Sequence, residues 1–94
     1  MTYELAFKKL ALKEWKKLAP DIREQFKKKL NERLKSPLVE GSKLSGGENL
    51  YKIKLRNLGY RLVYKVEKRK VTVTVLAVGK RERNEVYFSA LNRL

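Results

Sequence analysis

Leu50-Tyr51-Lys52-Ile53-Lys54-Leu55-Arg56-Asn57-Leu58-Gly59-Tyr60-Arg61-Leu62-Val63-Tyr64-Lys65-Val66 is the stretch whose reading decides the fold. From Leu50 to Arg56 apolar and basic residues alternate, with Tyr51, Ile53 and Leu55 on one side and Lys52, Lys54 and Arg56 on the other. That is the period of a half-buried strand. Asn57-Leu58-Gly59 supplies a turn, so residues 50–58 and 60–66 read as two strands. A third run, residues 71–78, follows Glu67-Lys68-Arg69-Lys70 and is rich in valine and threonine. Connections this short predict an antiparallel meander.

Working outward, residues 2–7 alternate as another short strand, with Tyr3, Leu5 and Phe7 on one side. From Lys8 the period becomes helical: Phe7, Leu10, Ala11, Trp15 and Leu18 recur at three- and four-residue steps. Pro20, with Asp21 and Glu24 after it, starts a second helix, because proline tolerates the first turn and carboxylates suit the positive end of the helix dipole. Its apolar stripe is Ile22, Phe26, Leu30 and Leu34, and Ser36-Pro37 stops it. Residues 37–49, with Gly41, Gly46 and Gly47, form the linking loop. After Gly79 the helical period returns through Val86, Tyr87, Ala90, Leu91 and Leu94. The order βααβββα predicts one small α+β domain spanning residues 1–94. Two helices pack on one face of a mainly antiparallel sheet, the other face stays partly open, and a C-terminal helix closes the chain.

Composition narrows the chemistry. In 94 residues there is neither cysteine nor histidine, which removes disulfides, thiolate nucleophiles, the usual acid/base residue and the usual metal ligands. No metal or cofactor is expected. A chain of this length buries about 60 to 65% of its unfolded surface, enough for a thin core but not for a cofactor-sized cavity. No apolar run reaches the ~18 residues of a membrane span, and the polar residues 1–7 do not read as a signal peptide, so a cytoplasmic protein without membrane contact is expected. Lys and Arg number 24 against 10 Asp and Glu, a formal net charge of +14 that costs self-repulsion and points to a polyanionic partner.

The strand alternation locates that charge. Lys52, Lys54, Arg56, Arg61 and Lys65 share the face turned away from the two helices, and Lys80, Arg81 and Arg83 follow at the end of the last strand, within reach of the same rim. Any single one reads as a solubilising surface cation. Together they read as a phosphate-binding surface, because like charges opposite one another on paired strands are destabilising and mixed signs would serve solubility better. The second helix carries its own basic surface in Arg23, Lys27, Lys28, Lys29 and Lys35, readable as a second phosphate contact or as a solvated helix face. Trp15 and Phe26 lie on apolar stripes and belong to the core. Tyr87 admits two readings, packing in its stripe or turning its hydroxyl toward the cations.

If the site is catalytic, the residue types leave strand cleavage by RNA's own 2′-hydroxyl, with cations offsetting charge on the pentacoordinate phosphate. A lysine among cations has its ammonium form disfavoured, so Lys54 or Lys52 can serve as the base. Arginine holds its proton too firmly for that, and Arg61 and Arg81 read as phosphate clamps.

Four segments carry a resemblance: Ala11-Leu12-Lys13-Glu14-Trp15-Lys16-Lys17-Leu18, Tyr51-Lys52-Ile53-Lys54-Leu55-Arg56, Gly59-Tyr60-Arg61-Leu62-Val63-Tyr64, and Val78-Gly79-Lys80-Arg81-Glu82-Arg83-Asn84-Glu85-Val86-Tyr87. In this order and at these spacings the chain resembles the RelE toxins of bacterial toxin–antitoxin modules over nearly its whole length. The resemblance implies a ribosome-dependent endoribonuclease that enters the vacant A site of the 70S ribosome and cuts the messenger. It implies Lys52, Lys54, Arg61, Arg81 and Tyr87 as the catalytic set: Lys54 as base, Lys52 and Arg61 on the phosphate, Arg81 at the leaving oxygen and Tyr87 stacked on the substrate base. It also makes the basic second helix a contact with ribosomal RNA, so that Arg23, Lys27, Lys28, Arg56, Lys65, Lys80 and Arg83 are expected to bind RNA. An acidic, RelB-like antitoxin is the implied partner, with operator DNA bound only through it. The topologically similar ParE-like toxins, which act on gyrase, are the alternative, and a non-catalytic basic RNA-binding protein is the third reading.

Overall fold

A computed structural model describes residues 2–82 and 84–94. Its elements follow in the order β1 (Glu4–Phe7), α1 (Lys9–Lys16), α2 (Pro20–Lys35), β2 (Leu50–Leu55), β3 (Tyr60–Glu67), β4 (Thr72–Lys80) and α3 (Glu85–Asn92). The expected α+β class and the order βααβββα are both present. The sheet order is β1-β4-β3-β2, with β2, β3 and β4 an antiparallel meander and β1 lying parallel to β4 at the far edge.

On one face, α1 and α2 cover Tyr51, Ile53, Leu55, Leu62, Tyr64, Val66, Val73, Val75 and Val78 with Ala11, Trp15, Leu18, Ile22, Phe26 and Leu30. Phe7, Trp15 and Phe26 pack in sequence as tilted rings at centroid separations of 5.2 and 6.2 Å. Pro20 begins α2 as its missing N–H allows, and the helix ends with the Ser36 N–H donating to Glu32 O. Leu10, expected on the buried stripe, is 51% exposed. It stands in the first turn of an eight-residue helix, and the Trp15 side carries the packing.

The other face is more covered than the sequence predicts. Leu50, Val63, Leu76 and Ala77 form a second apolar cluster with Leu44, Val86 and Ala90, so α3 is a third layer. A β-bulge between Val63 and Tyr64 on β3 and residues 75–77 on β4 makes this possible. The extra residue breaks strict alternation, so the consecutive Leu76 and Ala77 join the α3 cluster while Val75 and Val78 join the other. All of residues 73–78 are buried, as a strand covered on both sides requires.

Arg33, near the end of α2, braces β2. It donates to the Lys52 carbonyl at 3.3 Å, to Tyr64 Oη at 2.9 Å and to Ser42 Oγ at 3.1 Å, and the Tyr64 hydroxyl in turn donates to the Pro37 carbonyl at 2.7 Å. Burial pushes the Tyr64 phenol above its ordinary pKa, so it stays a donor.

Candidate RNA-cleavage site

The site is built where the β2–β3 turn, the end of β4 and the start of α3 converge. Lys54 on β2 pairs directly with Arg61 on β3, and Lys52 pairs with Val63 beside them, which sets three cationic side chains on one sheet face at the edge of the α3 cluster. All three are half-buried. The turn is closed by the Leu58 and Gly59 N–H groups donating to Leu55 O, and Gly59 takes φ +68°, a conformation that costs a residue without Cβ least. The Gly59 carbonyl then accepts the Arg81 N–H at 2.6 Å, which fixes Arg81 beside the same turn.

These placements show in the electrostatics of one group. The pKa of Lys54 lies below its ordinary value of 10.5, first because of the neighbouring Lys52 ammonium, then through partial loss of hydration, then because of Arg61, Arg56 and Arg81. Four cations therefore act on one amine, and each disfavours its ammonium form and makes it a readier proton acceptor.

Tyr87 lies on the first turn of α3, beneath two of the cations. The Arg61 guanidinium is 5.0 Å from the ring centroid and the Lys52 Nζ 5.8 Å, distances at which the ring quadrupole attracts a cation. The ring also packs against the α3 cluster. Its hydroxyl is buried with no hydrogen-bond partner among the described residues. The packing reading of Tyr87 therefore holds, and what meets the cations is the face of the ring rather than the hydroxyl that the other reading turned toward them.

Asn84 is a residue the sequence reading passed over. It adopts φ +61° just before α3 and accepts a hydrogen bond from Arg61 Nη1 at 3.2 Å, tying the guanidinium to the helix that carries Tyr87. An asparagine just ahead of an apolar helical period is the available signal, since asparagine tolerates the left-handed region better than most residues.

Other expected RNA contacts fall elsewhere. Arg56 is not on a strand, because β2 ends at Leu55 and the turn begins there; it nevertheless lines a cleft with Lys54. Lys65 pairs with Leu50 at the opposite end of β2, four residues along β3 from Arg61 and so about 13 Å away along an extended chain. Lys80 pairs with Tyr60 whereas Arg61 pairs with Gly79, so the pleat directs Lys80 away from the cluster, and it lines a separate cleft with Glu14, Glu82 and Glu85. Arg23, Lys27 and Lys28 sit on α2, in the layer across the sheet from the cluster, with Lys27 3.4 Å from Glu24. Arg83 lies outside the described residues.

The chain as a whole is similar to known proteins. Residues 5–85 match the family model of the ParE toxin of type II toxin–antitoxin systems, parDE. Over its full length the chain is 57% identical to the mRNA interferase toxin RelE of Escherichia coli K12, covering 99% of that protein. A substituted E. coli RelE in the free state superposes with a TM-score of 0.92 at 55% identity, over 100% of this chain and 99% of that one. The toxin in the E. coli RelBE toxin–antitoxin complex superposes with a TM-score of 0.83 at 58% identity, over 86% of this chain and 99% of that one.

Proposed function

The chain belongs to the RelE/ParE family of type II toxins, and from that premise we propose that it is a toxin that cleaves messenger RNA in the A site of the ribosome. The observation that carries the reading is the convergence of five side chains: Lys54 pairs with Arg61 beside Lys52, Arg81 is held at the same turn, and the Tyr87 ring lies 5.0 Å from the Arg61 guanidinium and 5.8 Å from the Lys52 amine.

Lys54 Nζ takes the proton of the 2′-hydroxyl as its oxygen attacks the adjacent phosphorus. The new 2′-O–P bond forms while the P–O5′ bond breaks, leaving a 2′,3′-cyclic phosphate on one fragment and a 5′-hydroxyl on the other. Lys52 and Arg61 meet the charge that grows on the non-bridging oxygens, and Arg81 stabilises the departing 5′-oxygen until it takes a proton from water, while Lys54 returns its own proton to solvent. Tyr87 receives the substrate base: a bound phosphate draws Arg61 and Lys52 toward itself and frees the ring face for stacking. Because this set has no imidazole, the ribosome supplies the in-line geometry.

The partner is an antitoxin, as RelB is for the E. coli relative. A +14 surface favours an acidic chain, largely extended before binding, and operator DNA is contacted through that antitoxin. A toxin that acts on translating ribosomes works in the cytoplasm. No helix among the described residues is long and apolar enough to cross a membrane. Primer extension on programmed ribosomes tests the whole reading. Cuts within the A-site codon, ending in a cyclic phosphate, are expected. Inhibition of gyrase supercoiling with no cuts would replace it with the ParE-like activity, and ribosome association with neither would replace it with simple RNA binding.

A further inference from the structure

Lys54 has a second neighbourhood. On the side away from Tyr87 it lines an open cleft of about 470 Å³ between α2 and the β2–β3 turn, within the roughly 300–1,000 Å³ typical of small-ligand sites. Gln25 and Lys29, one helical turn apart on α2, form one wall, and Arg56, Asn57 and Leu58 form the other. Among the described residues no carboxylate lines it.

The composition of these walls is more than a phosphate needs. Lys29 and Arg56 add two cations to Lys54. Gln25 and Asn57 add two carboxamides, each offering a donor and an acceptor side by side. Leu58 is 38% exposed, a large apolar side chain left at the mouth of a polar cleft. A bare phosphate would engage the cations and leave the amides and Leu58 unused. A nucleotide uses all three: its phosphate meets the cations, its base edge meets a carboxamide, and its base or sugar face covers Leu58. The cleft opens on the amine assigned to the scissile step, so a chain whose cut phosphate lies at Lys54 and Arg61 has its neighbouring nucleotide at this opening.

We propose that the cleft is a base-reading subsite for the messenger nucleotide flanking the scissile phosphate, so that Gln25, Asn57 and Leu58 help to decide which codons are cut. The inference rests on the cluster being the RNA-cleavage site. It requires discrimination among bases, because carboxamide contacts pair with some base edges and leave others unsatisfied.

The test is single-turnover cleavage on ribosomes programmed with messages that differ in one base on either side of the cut. It is run for the wild-type chain, Gln25→Ala, Asn57→Ala and Leu58→Ser, with ribosome binding and thermal melting measured in parallel. The expected result is a change in the ranking of codons, the ratio between favoured and disfavoured bases falling roughly five- to tenfold. Binding and melting should hardly move, since these side chains lie on the cleft walls. A rate that falls equally for every codon would overturn the inference and make the cleft a backbone or ribosomal RNA contact. An unchanged profile in all three variants would overturn it as well. A wild-type chain that cuts no message at all would overturn the proposed function, and this inference with it; wild-type cutting with an unaltered codon ranking would sink this inference alone.

Discussion

Arg93 and Glu14, 79 residues apart, form a two-pronged ion pair: Arg93 Nη1 donates to Oε1 at 2.8 Å and Nη2 to Oε2 at 3.1 Å. Arg93 Nη1 also donates to the Leu76 carbonyl at 2.9 Å, while Glu14 Oε1 accepts the Val78 N–H at 3.3 Å. The pair therefore clasps the end of α3 to α1 across β4, at the residues beside the bulge.

This clasp holds the helix whose first turn presents Tyr87. With side-chain exposures of 18% for Arg93 and 35% for Glu14, it lies between a surface pair and a buried one. Arg93→Ala and Glu14→Ala are each expected to destabilise the chain by about 1–2 kcal/mol, with a coupling near 1 kcal/mol in a double-mutant cycle. Amides of α3 should exchange faster in both variants. A coupling below about 0.2 kcal/mol would mean that the two side chains act independently.

The pH dependence of cleavage follows from Lys54. Its amine works as a base only after losing its proton, so the rate should rise with pH until the lowered pKa is passed and then level off. Lys52 is the largest cause of the lowering, so Lys52→Ala returns the Lys54 pKa toward 10.5 and moves the rising limb to higher pH. Loss of a phosphate contact alone would depress the rate equally at every pH. A pH-rate profile of Lys52→Ala displaced downward but not sideways would contradict the assignment of Lys54 as base.

The sequence carries the meander and the shared face of Lys52, Lys54 and Arg61 openly, because both depend on a two-residue period and a short turn; the register that pairs Lys54 with Arg61 comes from the structure. The parallel partnership of β1 with β4 is hidden, since Tyr3, Leu5 and Phe7 would pack equally well at any edge. The third layer is hidden for a different reason. The α3 cluster depends on the bulge that sends Leu76 and Ala77 to one face, and an unbroken apolar run from Val73 to Val78 does not mark where alternation slips. The misplacement of Lys80 has the same origin: at a strand end one residue decides the face, and Gly79, not Lys80, is the partner of Arg61.

Asn84→Gly separates backbone from side chain. Glycine accepts φ +61° at least as readily as asparagine, so stability should stay within about 0.5 kcal/mol. The acceptor for Arg61 is lost, and single-turnover cleavage should fall about fivefold, the equivalent of roughly 1 kcal/mol for one hydrogen bond to a charged group. An unchanged rate would show that Arg61 needs no help from α3 to find the phosphate.

Two groups of cations should fail in different ways. Arg81 and Lys54 meet charge and protons that appear during the reaction, whereas Lys27 and Lys28 lie across the sheet on α2 and can meet only phosphates already charged in the ground state. Arg81→Ala and Lys54→Ala are expected to lower the single-turnover rate by roughly a hundredfold or more with ribosome affinity nearly intact. Lys27→Glu and Lys28→Glu are expected to weaken ribosome binding and leave the saturated rate close to wild type. Their binding should also respond less steeply to salt, by roughly 0.7 to 0.9 in the log–log slope for each phosphate contact removed. Kd and saturated rate measured across a salt series distinguish the two groups. If all four substitutions reduced affinity and rate in the same proportion, the two basic faces would form one binding surface, and Lys54 and Arg81 would have no separate share in the chemical step.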